Sequence, residues 1–175
     1  FPTRRSSDLL GCGVLLISAD FDEILEVFSR NNLKNDDAGQ TLLKILSSAG
    51  MLTSGAYYQA MSQSETAPVY RYFNRLDVPH NYLPGLKFCW HTFDTPLYFR
   101  IVPYEFLETF SRKTSAMWAA FARTGNPSTE EYEWPRFDPE KKLTMVFDDT
   151  FYIEEDPDRE EREVLAKYTD GVPTM

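Results

Sequence analysis

An α/β fold with a mostly parallel sheet is what this sequence predicts, and three observations carry the expectation. Gly13-Val14-Leu15-Leu16-Ile17-Ser18-Ala19 is an unbroken apolar run, as expected of a strand covered on both faces in a parallel sheet. Val69-Tyr70-Arg71-Tyr72-Phe73 follows Pro68 and is rich in residues that favour extended chain. Helical periods lie between these two runs, and helices alternating with strands imply helix layered on sheet.

Composition bounds the rest. The chain has 175 residues, 42% of them hydrophobic and 15% aromatic, enough for one packed core. Eighteen basic residues stand against 27 acidic ones, a net charge of -9. A nucleic-acid partner is therefore not expected, because phosphate binding needs a positive footprint. No apolar run approaches the length that spans a bilayer, and no signal-peptide pattern occurs, so no membrane partner is expected either. The two cysteines, Cys12 and Cys89, fall short of a disulfide framework or a four-ligand zinc site and favour a reduced, cytoplasmic setting. Oligomeric state leaves no signal in the sequence.

In chain order, Phe1 to Leu9 comes first and stands apart. It has no apolar period and reads like the translation of a common sequencing adapter. The native chain is therefore expected over 10–175, as one incomplete domain. The first strand ends at Asp20-Phe21-Asp22-Glu23, and Ile24-Leu25-Glu26-Val27-Phe28 has helical spacing. Spacing alone gives Asp20 the helix cap and has Asp22 and Glu23 complement the helix's positive end. Asp36-Asp37 opens a second helix with Leu42, Leu43, Ile45 and Leu46 on one face, stopped at Gly50. A third helix is expected from Ala56 to Gln63, and a loop with Pro79, Pro84 and Gly85 leads to His91. Past Pro103, Phe106, Leu107, Phe110, Met117, Trp118 and Phe121 recur at helical steps and read as core, ended by Gly125-Asn126-Pro127. Leu143–Phe147 and Phe151–Ile153 read as short strands around Asp148-Asp149, and Asp158 to Lys167 as a charged, solvated helix.

The chemistry begins from what is absent. No P-loop, dinucleotide glycine fingerprint, HExxH or paired CxxC occurs, so neither a cofactor nor a metal is expected. His80 sits in a proline-rich loop without an acid at useful spacing. His91 lies in Phe88-Cys89-Trp90-His91-Thr92-Phe93-Asp94, and alone it would read as a hydrogen-bonded histidine near the core. An acid leaving one buried strand and a histidine after the next make a different pattern, an acid and a base for acyl transfer.

Longer motifs make that pattern specific. Val14 to Ala19 followed by Asp22-Glu23, and Val69-Tyr70-Arg71-Tyr72-Phe73, are two of them. The others are His91 with Asp94 and the apolar run behind it, then Trp118-x-x-Phe121-Ala122-x-Thr124-Gly125-Asn126-Pro127 with Trp134-Pro135-x-Phe137-Asp138, and Thr144-Met145-x-Phe147. Together they resemble the C-terminal part of the type-B carboxylesterase family, which includes bacterial aryl-ester hydrolases and the cholinesterases. The resemblance implies the C-terminal part of an α/β-hydrolase, with Glu23 as triad acid, His91 as triad base and Asp94 supporting the histidine from behind. It implies a small-molecule carboxylic ester as substrate and neither cofactor nor metal.

Three departures qualify it. Ile24 stands where the family often has glycine, and the span from Glu23 to His91 is short. No Gly-x-Ser-x-Gly elbow and no Gly-Gly oxyanion loop occur, since neither Ser48 nor Ser54 has the flanking glycines. Without a nucleophile the acid and base have nothing to activate. The expectation is a fragment of a serine carboxylic-ester hydrolase that is inactive alone, its partial sheet left with an unpaired edge. The alternatives are a non-catalytic, cholinesterase-like binding module and a small standalone α/β domain of unrelated function.

Overall fold

Among the residues that the computed structural model describes (21–31, 41, 45, 53–76, 89 and 92–169), three strands form one sheet. Strand β1 is Arg71–Asn74, β2 is Leu143–Phe147 and β3 is Phe151–Glu155, in the order β1-β2-β3. β1 runs parallel to β2, with Arg71 opposite Thr144 and Asn74 opposite Phe147. β2 and β3 form an antiparallel hairpin in which Phe147 faces Phe151. The described sheet is thus mixed, one parallel pair and one hairpin. The hairpin falls where the sequence places it, and within its turn the Asp149 N–H donates to Asp148 Oδ1 at 2.8 Å. The expected strand Val14 to Ala19 lies outside the described residues, as do residues 1–9.

The chain divides into two compact units. The unit Gln59–Pro157 holds the sheet. β2 sits centrally and is buried on both faces from Thr144 to Phe147, which explains its continuous apolar character. Against it lie helix α3 (Thr95–Tyr98), a 3₁₀ turn (Glu105–Leu107) and helix α4 (Glu108–Thr124). The core gathers Leu97, Leu107, Phe110, Met117, Trp134 and Phe147. Gly125 ends α4 in the left-handed region (φ 73°), its N–H donating to Phe121 O at 2.7 Å, the glycine C-cap expected there. One part of the α4 pattern is corrected. Leu107, Phe110 and Met117 are buried, but Phe106 and Phe121 are each about half exposed. The helical period is satisfied by the first three, and the other two flank the stripe. Phe99 and Ile101, before the 3₁₀ turn, are also exposed, at 74% and 63%.

The second unit joins the described residues up to Tyr58 with those from Asp158 on. Helix α1 (Phe21–Arg30) packs on helix α5 (Arg159–Thr169) through Ile24, Phe28, Val164 and Leu165. Each such side chain gains roughly 1.5–3 kcal/mol on burial. Thr41 and Ile45, both helical and buried, belong to the second expected helix, whose other residues lie outside the described set. Helix α5 corrects the reading of Asp158–Lys167 as a wholly solvated face: its charges flank a narrow apolar stripe, and Arg162 is itself buried. The Arg162 guanidinium covers the Tyr57 ring at 3.6 Å and faces Asp158 at 3.4 Å, so the buried cation is paired. Helix α2 (Thr53–Ser64) contains the helix expected from Ala56 to Gln63.

Candidate active site

Asp94 is the best-defined polar group near the expected catalytic histidine. It occupies the N-cap of α3, with Pro96 in the first turn. Aspartate at that position commonly bonds the exposed N–H groups of its own helix, yet the Asp94 carboxylate makes no such bond. Its Oδ2 instead accepts from the Tyr98 hydroxyl at 2.5 Å and from Asn74 Nδ2 at 3.3 Å.

Both donors are fixed by their surroundings. Asn74 closes β1, and its Oδ1 accepts the Leu76 N–H at 3.1 Å, which turns its amide nitrogen toward Asp94. The Tyr98 ring stacks on Trp118 at 4.1 Å and 15°, and Tyr72 meets both rings edge-on. Helix α3 is tied to α4 by the Ser111 hydroxyl donating to Leu97 O at 2.7 Å. The result is a carboxylate in an aromatic wall, receiving two hydrogen bonds.

The wall is electrostatically coherent. Burial, then the Tyr72 hydroxyl and the Asp94 charge, push the Tyr98 hydroxyl far above its ordinary range, so it remains a proton donor. Burial first and Asp94 second raise Tyr72 in the same way. The Cys89 thiol is also pushed up, by burial and then by Asp94. A thiol held protonated is a poor nucleophile.

Glu23 lies in the first turn of α1 with Asp22, where an acid complements the helix dipole. Its Oε1 accepts from Lys167 Nζ of α5, an ion pair with side chains 39% and 57% exposed. His91, Trp90, His80 and the Pro79–Gly85 loop lie outside the described residues. Glu23 and Asp94 fall in different units of the fold. No three His, Cys, Asp or Glu side chains among the described residues converge on a position for a metal ion, and no described helix is long and apolar enough to cross a membrane.

Sequence reasoning did not single out Tyr98 and Asn74 as the partners of Asp94, or Trp118 as the ring stacked on Tyr98. Two signals were available: Tyr98 lies four residues after Asp94, one helical turn on, and Asn74 ends a parallel strand, the usual edge for ligand sites in α/β sheets. Trp118 was read as core and as the first residue of the C-terminal motif, and its ring also stacks on Tyr98.

Comparison with known proteins places these features in context. A profile described as the carboxylesterase family matches residues 18–164, a span that holds Glu23, His91 and Asp94. The para-nitrobenzyl esterase of Bacillus subtilis (strain 168) is 34% identical over 116 residues, 61% of this chain and 23% of that protein. Among solved structures, a PNB esterase superposes with a TM-score of 0.65 at 25% identity, over 94% of this chain and 34% of its own. A thermophilic PNB esterase gives 0.60 at 28% identity, over 69% and 26%. The chain thus spans about a quarter of the length of the curated relative it matches.

Proposed function

This chain belongs to the carboxylesterase family, and from that membership we propose that it supplies the acid and base of a serine carboxylic-ester hydrolase, with Glu23 as the acid and His91 as the base. The match of the family profile across 18–164 is the observation that carries the reading. In this reading the imidazole of His91 removes the proton from a serine hydroxyl as it attacks the ester carbonyl. It then returns that proton to the departing alcohol. Glu23 holds the imidazole in the tautomer that accepts at the correct nitrogen and stabilises the imidazolium formed in between. Asp94 acts behind the histidine, holding its loop. No step requires a cofactor.

The serine and the oxyanion donors would come from outside these 175 residues, which contain no Gly-x-Ser-x-Gly. Residues 10–175 alone are then inactive. The name of the Bacillus relative suggests the probe, a para-nitrobenzyl ester. The full-length protein is expected to hydrolyse it and to lose at least about a thousandfold in kcat on His91→Ala. Full activity of that variant would sink the assignment of the base. Turnover by purified residues 10–175, abolished by His91→Ala, would overturn the inactivity of the fragment.

One observation favours a second reading, a non-catalytic binding module on the same scaffold. Glu23 is ion-paired to Lys167, an arrangement a scaffold without chemistry can keep. The upstream coding sequence separates the two, because a serine elbow there belongs to the enzyme alone.

A further inference from the structure

We propose that the loop from Phe99 to Phe106 is a docking surface within the protein, covered by apolar side chains from the part of the esterase domain that lies outside these 175 residues. The proposal rests on the reading of this chain as one part of a longer ester hydrolase, and it names a surface through which the parts meet.

Three observations carry it. First, the loop shows to solvent the kind of side chain that a core holds. Phe99 and Ile101 stand mostly in solvent, and Tyr104 and Phe106 are 43% and 49% exposed. Single exposed apolar residues are ordinary, but four large ones within eight positions mark a surface that meets another.

Second, the loop is held in this shape by bonds of its own. The Arg100 N–H donates to Leu97 O at 3.1 Å and the Ile101 N–H to Pro96 O at 3.0 Å, the paired bonds of a Schellman helix stop. That stop puts Arg100 in the left-handed region (φ 61°), where glycine is the usual residue. The Arg100 guanidinium ties the loop to the start of α4, donating to the Glu108 carboxylate and, at 3.2 Å, to Glu108 O. Farther on, the Leu107 N–H donates to Tyr104 O at 3.0 Å, and the Tyr104 ring lies 5.8 Å from that of Phe106. A surface fixed beforehand loses little entropy on docking, and a strained residue over-determined by its neighbours is a common mark of function.

Third, the comparisons and the charge favour one occupant. The loop falls inside the stretch 18–164 that matches the carboxylesterase profile, so it belongs to the family's domain. A PNB esterase that superposes over 94% of this chain is itself covered over 34% of its length, so relatives carry ample chain to lie on such a loop. The charges of Arg100 and Glu105 cancel within the loop, and nothing in it selects a charged partner. The net charge of -9 on the chain opposes a second copy and an anionic membrane alike.

The test is made in the full-length protein. With p-benzoylphenylalanine in place of Phe99, irradiation should crosslink the loop to a peptide of the same chain from outside residues 1–175, identified by mass spectrometry. A crosslink within residues 1–175, a crosslink between two copies, or no crosslink would overturn the proposal. The unsubstituted protein supplies a measurement that no folding defect confounds. Hydroxyl-radical oxidation of Phe99 and Phe106 should run at under about a tenth of the rate in the unfolded protein. Oxidation near the unfolded rate would overturn the proposal, as would protection that appears only at high protein concentration or on adding phosphatidylcholine vesicles. Ile101→Asp gives a third readout, because a charge is tolerated on an open surface and not under an apolar cover. The thermal half-life of that variant should fall at least about tenfold, and an unchanged half-life counts against the cover. Should the full-length protein lack esterase activity, the catalytic reading falls, and the crosslink still decides what lies on the loop.

Discussion

Glu23 and Asp94 are both acids at the start of a helix, yet the fold treats them in opposite ways. Glu23 faces a lysine across two helices in an ion pair open to water. Asp94 turns from its own helix into an aromatic wall and takes two hydrogen bonds from preset donors. An exposed pair contributes little, typically under about 1 kcal/mol, and its carboxylate exchanges partners at small cost. A carboxylate half-buried among aromatic rings does so less easily, because each lost bond leaves a partly desolvated charge. The contrast suits the two roles proposed: the acid proposed for the triad has a partner it can exchange, while the acid proposed to support the histidine is held by donors from its own unit.

The strongest way to break that comparison is to neutralise Glu23 without changing its shape. In the full-length protein Glu23→Gln is expected to cost about ten-thousandfold in kcat, the scale seen when a triad acid becomes an amide. KM for the ester should change little, because the acid acts on the histidine and not on bound substrate. Steady-state kinetics decide the matter. A loss under tenfold would leave Glu23 as a helix-start acid paired with Lys167, as spacing alone suggests.

The next effect is on stability and concerns the ground under Asp94. Phe147 is fully buried at the end of β2, beside Tyr72, Trp118 and Trp134. Phe147→Ala is expected to cost about 3–5 kcal/mol in chemical denaturation, the transfer and cavity terms together. A cost under about 1 kcal/mol would mean that the aromatic wall closes over the gap. The rigidity attributed to the Asp94 setting would then be overstated.

How much of this was legible in the sequence follows from how local each feature is. Helix α4, its glycine stop and the β2–β3 hairpin came from periods and turn residues within a few positions of one another. Glu23 in a first helical turn was legible for the same reason. The β1–β2 pairing joins Arg71 to Thr144, and the Glu23 partner Lys167 lies 144 residues away. No local pattern encodes either. The exposed Phe106 and Phe121 show the limit of periodicity, which marks a stripe but not its edges. Asp94 was picked out through the family motif, but its donors were not, because a capping position predicts bonds to the helix that this side chain does not make.

The smallest expected effect is one of pH, and it sharpens the same contrast on the α1–α5 side. Arg30 and Asn31 both donate to Glu160, and the guanidinium first, then the amide, holds its carboxyl below the usual carboxylate range. A carboxyl depressed in the folded state contributes stability that is fully present above its unfolded pKa, near 4.3. That contribution fades as pH falls through the lower, folded value. The α1–α5 contact should therefore weaken on acidification below about pH 4.3, and it should weaken by less in high salt, where an exposed pair is already screened. Arg30→Ala removes the larger cause of the depression, so the acid dependence of denaturation should flatten in that window while stability at neutral pH barely moves. If the acid limb of Arg30→Ala overlays that of the unsubstituted protein, the pair does not contribute to the docking of these helices. Glu23 and its lysine, exposed to a similar degree, would then be credited with no more.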